Sequence, residues 1–306
     1  MTKAQVSVTQ LDASVGRVTL PLPTGPRHVH CYLVAGTLFD AGLGLEAPPW
    51  RELGIERIAI THFHPDHVGG AEAAAAESGA TVYQGGLDYA QCERVWGSND
   101  WPERIADWFL THGVPEPIAH ELIDQGHAFA SFVRFARDPE LLYEGSELDG
   151  WSVLELPGHA DGHLGFVRDG VLIGGDHLLA RITPAVGLYP ESRPDPLGDY
   201  LASLERTAEL GLRVVYPGHG EPIEDPAGRA REIVEHHRRR LDDVAAALGS
   251  EPRSGYEVSL DVFGAALPPQ QRRFAVAEAL SHLERLVREG RAARGGDPRN
   301  VTYTGR

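Results

Sequence analysis

Three imidazoles and a carboxylate crowd into six residues at His62-Phe63-His64-Pro65-Asp66-His67. A run this dense cannot sit in a regular helix or in a strand buried on both faces. Pro65 interrupts regular hydrogen bonding, and four polar side chains would each need a buried partner. The segment is expected as a loop. It leaves the short apolar strand Ile58-Ala59-Ile60 and leads to an Ala-rich helix, Ala71 to Ser78, that Gly79 stops. Neutral imidazole is the commonest metal ligand, and tetrahedral zinc takes N and O donors at about 2.0–2.2 Å. The chemistry on offer is metal binding.

Downstream residues extend the donor set. Leu156-Pro157-Gly158-His159 and Tyr216-Pro217-Gly218-His219 are two copies of Pro-Gly-His, each after a strand pattern. Ile173-Gly174-Gly175-Asp176 puts an aspartate after a strand and a Gly-Gly turn. Glycine lets the chain turn sharply and present a ligand at a sheet edge. Any one of these segments is more often structural than not. Together, and in this order, they are hard to explain without a metal. His163 is weighed as a loop residue against a place in the site lining. His177 is expected to face away from Asp176 or to support it. His28, His30, His236, His237 and His282 are expected on the surface or on helix faces.

The elements that must position these residues follow from periodicity. Val6-Ser7-Val8, Val15-Gly16-Arg17-Val18, Val29 to Val34, Thr37 to Asp40 and Thr81-Val82-Tyr83 are expected strands of the first half. Trp151 to Leu156, Leu164 to Arg168, Val171 to Gly174 and Arg213 to Tyr216 are strands of the second, with a tight hairpin at Asp169-Gly170. Helices are expected from Asp199 to Leu210, from Pro226 or Ala227 to Leu248, and from Arg272 to Glu289. The last carries an apolar stripe of Ala275, Val276, Ala279, Leu280, Leu283, Leu286 and Val287. Between residues 87 and 138, Trp96, Trp101, Trp108, Phe109, Phe129, Phe132 and Phe135 recur at helical spacing and predict two or three amphipathic helices. These aromatics are core, or else one wall or lid of a substrate pocket. The alternation of strands and helices predicts a mixed α/β chain.

At this point the sequence resembles the metallo-β-lactamase superfamily, whose signature is His-x-His-x-Asp-His followed by a His, an Asp and a His. The resemblance spans residues 15 to 225 or so. It implies a four-layer αββα sandwich and two Zn²⁺ ions per chain. His62, His64 and His159 would hold one ion and Asp66, His67 and His219 the other, with Asp176 bridging. Mn or Fe can fill N/O sites of this kind. Asp40, in Leu38-Phe39-Asp40-Ala41-Gly42, matches the family's aspartate that supports the ligand loop from behind. The implied activity is hydrolysis by a metal-bridging hydroxide, with Asp66 as the catalytic carboxylate that orients water and handles the proton.

The order of the later elements resembles the glyoxalase-II-like branch with a C-terminal winged-helix-like module. The domains expected are a catalytic domain at 1–227, with a helical insert at about 87–138, and the module at 228–306. The branch contains thioesterases and an endoribonuclease. An ester or thioester of a small molecule, of the acyl-CoA or acyl-glutathione type, is the first expectation. A metal-dependent endoribonuclease or phosphodiesterase, a lactonase and a non-catalytic metal-binding scaffold are the alternatives.

Composition narrows the partners. The 306 residues carry 28 basic and 44 acidic side chains, a formal charge of −16. Such a surface repels polyanions and has no general affinity for nucleic acid or anionic membrane. The tail from residue 228 differs, with 14 Arg against 11 acids, and leaves a route to nucleic acid or to a homodimer. No run of about 18 apolar residues predicts a membrane span. Met1 to Leu20 lacks a signal-peptide core. The two cysteines, Cys31 and Cys92, make no disulfide framework, and a cytoplasmic setting is expected.

Overall fold

The computed structural model describes residues 8–23, 25–44 and 50–306, with the side chains at 128, 129, 269 and 270 left aside. The expected strand residues Val6 and Ser7, and the Phe129 side chain, lie outside the described residues. Two compact units interleave along the chain. One comprises 1–97, 130–184 and 207–229, the other 98–129, 185–206 and 230–306.

The first unit holds two sheets. Strands β1 (Val8–Gln10), β2 (Gly16–Pro21), β3 (His28–Val34), β4 (Thr37–Phe39), β5 (Arg57–Ala59), β6 (Thr81–Gly85) and β7 (Glu140–Leu142) pair in chain order into a seven-stranded sheet. It is antiparallel through β4 and parallel from there to β7. Strands β8 (Glu147–Leu148), β9 (Trp151–Glu155), β10 (Leu164–Arg168), β11 (Val171–Gly175) and β12 (Val214–Pro217) form a second, five-stranded sheet. The hairpin between β10 and β11 turns at Asp169-Gly170, both with positive φ.

Alternation along β3 shows how the layers arise. Val29 and Cys31 point to one side, where helices α1 (Pro65–Val68), α2 (Ala71–Ser78) and α3 (Gly86–Val95) contribute Val68, Ala71, Ala74 and Cys92 to the same core. Tyr32 and Val34 point to the other side and pack with Trp151, Val153, Leu164 and Phe166 of the second sheet. Phe39 joins the two sheets, with its ring 5.2 Å from Trp151 and 5.0 Å from Phe166. Cys31 and Cys92 are both buried as free thiols. Among the described residues no helix is long and apolar enough to cross a membrane.

Helices α4 (Trp101–Thr111) and α5 (Glu116–Ala130) follow α3, so the aromatic stretch forms three helices. Helix α6 spans Pro196–Glu209 and α7 spans Pro226–Ala246. The tail then adds β13 (Arg253–Ser254), α8 (Gly255–Phe263), α9 (Pro269–Arg288), β14 (Ala292–Asp297) and β15 (Asn300–Gly305), with the strands ordered β13-β15-β14. The β13 strand and the α8 helix were not among the expected elements. Helix α8 begins at a capping box: Ser254 Oγ accepts from the Glu257 N–H at 3.2 Å, and Glu257 accepts from the Ser254 N–H at 2.8 Å. Ser254→Ala is expected to cost about 1 kcal/mol of stability. Chemical denaturation checks this, and an unchanged midpoint contradicts it.

Three of the histidines expected on the surface or on helix faces are buried. His30 lies on the inward face of β3 with Tyr32 and Val34, which the period-two pattern dictates. His237 and His282 are fully buried within the second unit.

Candidate metal centre

The dense segment differs in one respect from the loop expected of it. Pro65–Val68 is a single helical turn with Pro65 at its first position, where the missing N–H costs nothing and the fixed φ suits the helix. His64 stays extended, at φ −61° and ψ 145°. The backbone of Phe63 is gripped from both sides. Its N–H donates to Asp88 Oδ1 at 2.8 Å, and its carbonyl accepts from Trp96 Nε1 at 2.8 Å. Thr61 O accepts from Leu164 N of the second sheet at 2.7 Å. The ligand segment is thus tied to α3, to the residue beyond it and to β10.

Two groups of donors converge. His62 Nε2 lies 3.0 Å from His64 Nδ1, which lies 2.9 Å from His159 Nε2. Beside them, His219 Nε2 lies 3.2 Å from Asp66 Oδ2, and His67 Nε2 lies 3.9 Å from the same oxygen. Asp176 stands between the groups: Oδ2 is 3.6 Å from His159 Nε2 and 3.4 Å from His219 Nε2, and Oδ1 is 3.5 Å from His67 Nε2. All seven residues singled out from the sequence come together here. Both groups could hold a metal ion.

Hydrogen bonds behind the rings fix which nitrogen faces inward. His67 Nδ1–H donates to Asp40 Oδ2 at 2.8 Å, and His219 Nδ1–H donates to the His28 carbonyl at 2.7 Å. Thr61 has one hydroxyl proton and gives it to Asp40 at 2.9 to 3.0 Å. Its oxygen therefore accepts from His62 Nδ1–H at 3.0 Å. In the neutral form of each ring this leaves Nε2 as a lone pair aimed at the cluster, the tautomer that metal ligation needs. His67 Nε2 and Asp176 Oδ1 are buried and have no hydrogen-bond partner among the described residues, which a cation would supply.

Electrostatics agree. Burial and then the neighbouring imidazoles hold His62 and His64 below the ordinary histidine value, His64 at about 3. Burial opposes the charged forms of Asp66 and Asp176, yet His67 and His219 outweigh it and keep both carboxyls low. Burial likewise opposes protonation of His219, but Asp176 and Asp66 push it up to about 10. Buried carboxylates that draw protons onto adjacent imidazoles are a site for a divalent cation.

Asp88, which the sequence did not single out, completes the support together with His163, His177 and Asp40. Asp88 is fully buried, and Gln84 Nε2 donates to its second oxygen at 2.6 Å. Burial raises the Asp88 carboxyl to about 8. His163 stacks on His62 with ring centroids 4.8 Å apart, and its Nε2 accepts from the Asp176 N–H at 3.2 Å. It therefore positions Asp176 from behind. His177 bonds Thr207 Oγ1 at 2.7 Å. Asp40 has φ +63°, and its two oxygens serve Thr61 and His67 together.

Comparison with known proteins gives this arrangement a context. The family described as Metallo-beta-lactamase superfamily matches residues 24–219, and the Metallo-beta-lactamase-like, C-terminal domain matches residues 241–303. The protein named "Probable metallo-hydrolase YqjP" of Bacillus subtilis (strain 168) is 30% identical over 301 residues, covering 89% of this chain and 92% of its own. A crystal structure of a metallo-beta-lactamase family protein from Thermus thermophilus superposes with a TM-score of 0.84 at 36% identity, covering 97% of this chain and all of the other. A beta-lactamase domain protein from Burkholderia ambifaria gives a TM-score of 0.88 at 26% identity, covering 100% and 96%. Two family matches, one on each side of residue 230, and a fold shared over nearly the whole length leave one conclusion: this chain belongs to the metallo-beta-lactamase superfamily of metallo-hydrolases.

Proposed function

We propose that the chain is a two-zinc hydrolase of a small-molecule ester or thioester. The observation that carries this is the pair of donor groups sharing Asp176, with no donor position substituted. His62, His64 and His159 would hold one ion, and Asp66, His67 and His219 the other. Divalent metal bound there supplies Lewis acidity and makes water acidic enough to attack near neutral pH. The protein's own residues do the rest. Asp66 is the donor-group carboxylate with most surface in solvent, 22% against 10% for Asp176. It is placed to receive a proton at Oδ and pass it outward. Asp40, Thr61 and His163 hold the ligands at fixed angles, so little reorganisation accompanies the reaction.

The choice of a small substrate rests on charge. The chain carries −16 overall. In the tail, Arg253 pairs with Asp261, Arg285 with Asp195 and Glu289, Arg291 with Asp242, and Arg294 with Glu284. Arginines already matched to carboxylates contribute little to phosphate binding. The order helix, strand, helix, helix, hairpin from α7 to β15 supports the winged-helix-like module. Packing or dimerisation is its preferred role.

A panel of a thioester, a lactone, a β-lactam, a phosphodiester and single-stranded RNA tests the reading, with metal-quantified protein and Asp66→Ala as control. Hydrolysis of the thioester that vanishes in the control is expected. Cleavage of RNA alone overturns the proposal.

A further inference from the structure

A second cluster of donors sits in the other unit, outside the centre described above. Helix α9 presents Glu278 and His282, one turn apart on the same face, and α7 presents His237 opposite them. Donor atoms of the three lie within 4.8 Å of one another. His237 and His282 are fully buried, and Glu278 is half-buried, which leaves a path from solvent.

The ring orientations are those of ligands. His282 Nδ1–H donates to the Glu278 carbonyl at 2.7 Å, so Nε2 carries the lone pair. Nδ1–H donation to a backbone carbonyl is how metal-ligating histidines are usually held. His237 Nδ1 faces that lone pair at 3.3 Å. Two nitrogens bound at about 2.0–2.1 Å with tetrahedral angles would stand about 3.3 Å apart. A simple His–His hydrogen bond would also span this gap, but it gives the Glu278 carboxylate nothing to do. His237 Nε2 has no hydrogen-bond partner among the described residues.

We infer that His237, Glu278 and His282 form a separate structural site for one divalent transition-metal ion, zinc by donor type, which ties α7 to α9. Three protein donors of N and O type, on two helices of one unit, match such an ion. This site is independent of what the main centre hydrolyses, and of how many ions that centre holds.

Zinc alone is the probe. The full chain is loaded, freed of excess metal and analysed by mass spectrometry of the metal, next to His282→Gln and Glu278→Gln. Each variant is expected to hold one equivalent less than the wild type, with thioester or other hydrolysis retained. Equal zinc content in wild type and variants overturns the site. A chain disabled in both donor groups of the main centre by His64→Ala, Asp66→Ala, His67→Ala and Asp176→Ala guards against misfolding of the helix variants. It is expected to bind one equivalent of Co²⁺ with visible d–d absorption, and no binding there overturns the site as well.

Discussion

Replacing Asp66 with alanine is expected to lower kcat by about three orders of magnitude or more, with the fold intact. Loss of a proton-handling carboxylate alone costs about 10²- to 10⁴-fold. Asp66 is in addition a donor of one group, 3.2 Å from His219 Nε2. The fold should survive because the side chain is partly open to solvent and lies on a single helical turn. His64→Ala is expected to act with similar force by a different route. It removes the nitrogen that joins His62 to His159, at 3.0 and 2.9 Å, and so opens the first group of donors. Steady-state kinetics on samples of measured metal content, with circular dichroism beside them, test both. Turnover within tenfold of wild type at matched metal content would remove these residues from the mechanism.

The donors could be found in the sequence because four of them sit in one short segment, and the other three follow strands at glycine turns. Local chemistry of this kind needs no knowledge of the fold. The groups behind them were harder to find, for a physical reason. Asp88 acts on Phe63 from 25 residues away, and only the packing of α3 against the first sheet brings the two together. His163 reads as a loop residue until β10 and β11 pair and set it behind Asp176.

Other misses had a visible signal. His30 shares the parity of Tyr32 and Val34 along β3, so strand alternation alone places it inward. His282 falls seven residues after Ala275 and three after Ala279, within the apolar stripe of α9. Ser254 and Glu257 have capping-box spacing and mark the start of α8. Strands β7, β8 and β13 have three residues or fewer, too short for any period to show. Where the expectation failed in type, at Pro65–Val68, the cause was reading proline as a breaker when at the first helical position it is a starter.

Gly218→Ala is expected to damage the centre as severely as the loss of a ligand, although residue 218 donates nothing to it. A Cβ built there would stand 2.5 Å from His67 Cε1 and 2.6 Å from Asp176 Oδ1. Neither neighbour can yield cheaply. His67 is anchored through Nδ1 to Asp40 at 2.8 Å, and the backbone N–H of Asp176 is held by His163. The backbone of residue 218 cannot retreat either. Its N–H donates to the Gly175 carbonyl at 2.7 Å, and its carbonyl accepts from His30 N at 2.7 Å. Gly175 itself has φ +47° and sits against Thr61 and His163, so the strain would pass straight into the supports of both donor groups. A displacement of about 1 Å at a catalytic centre costs on the order of 10²-fold in rate. The expected result is weakened metal retention together with a loss of that size in kcat/KM. Gly249→Ala is the control, because a Cβ there meets nothing within 4 Å. It should leave both quantities at wild-type values. If Gly218→Ala kept full metal content and full turnover, the contact between β12's end and the donor residues would not constrain the centre, and the second Pro-Gly-His motif would owe its glycine to something other than the metal.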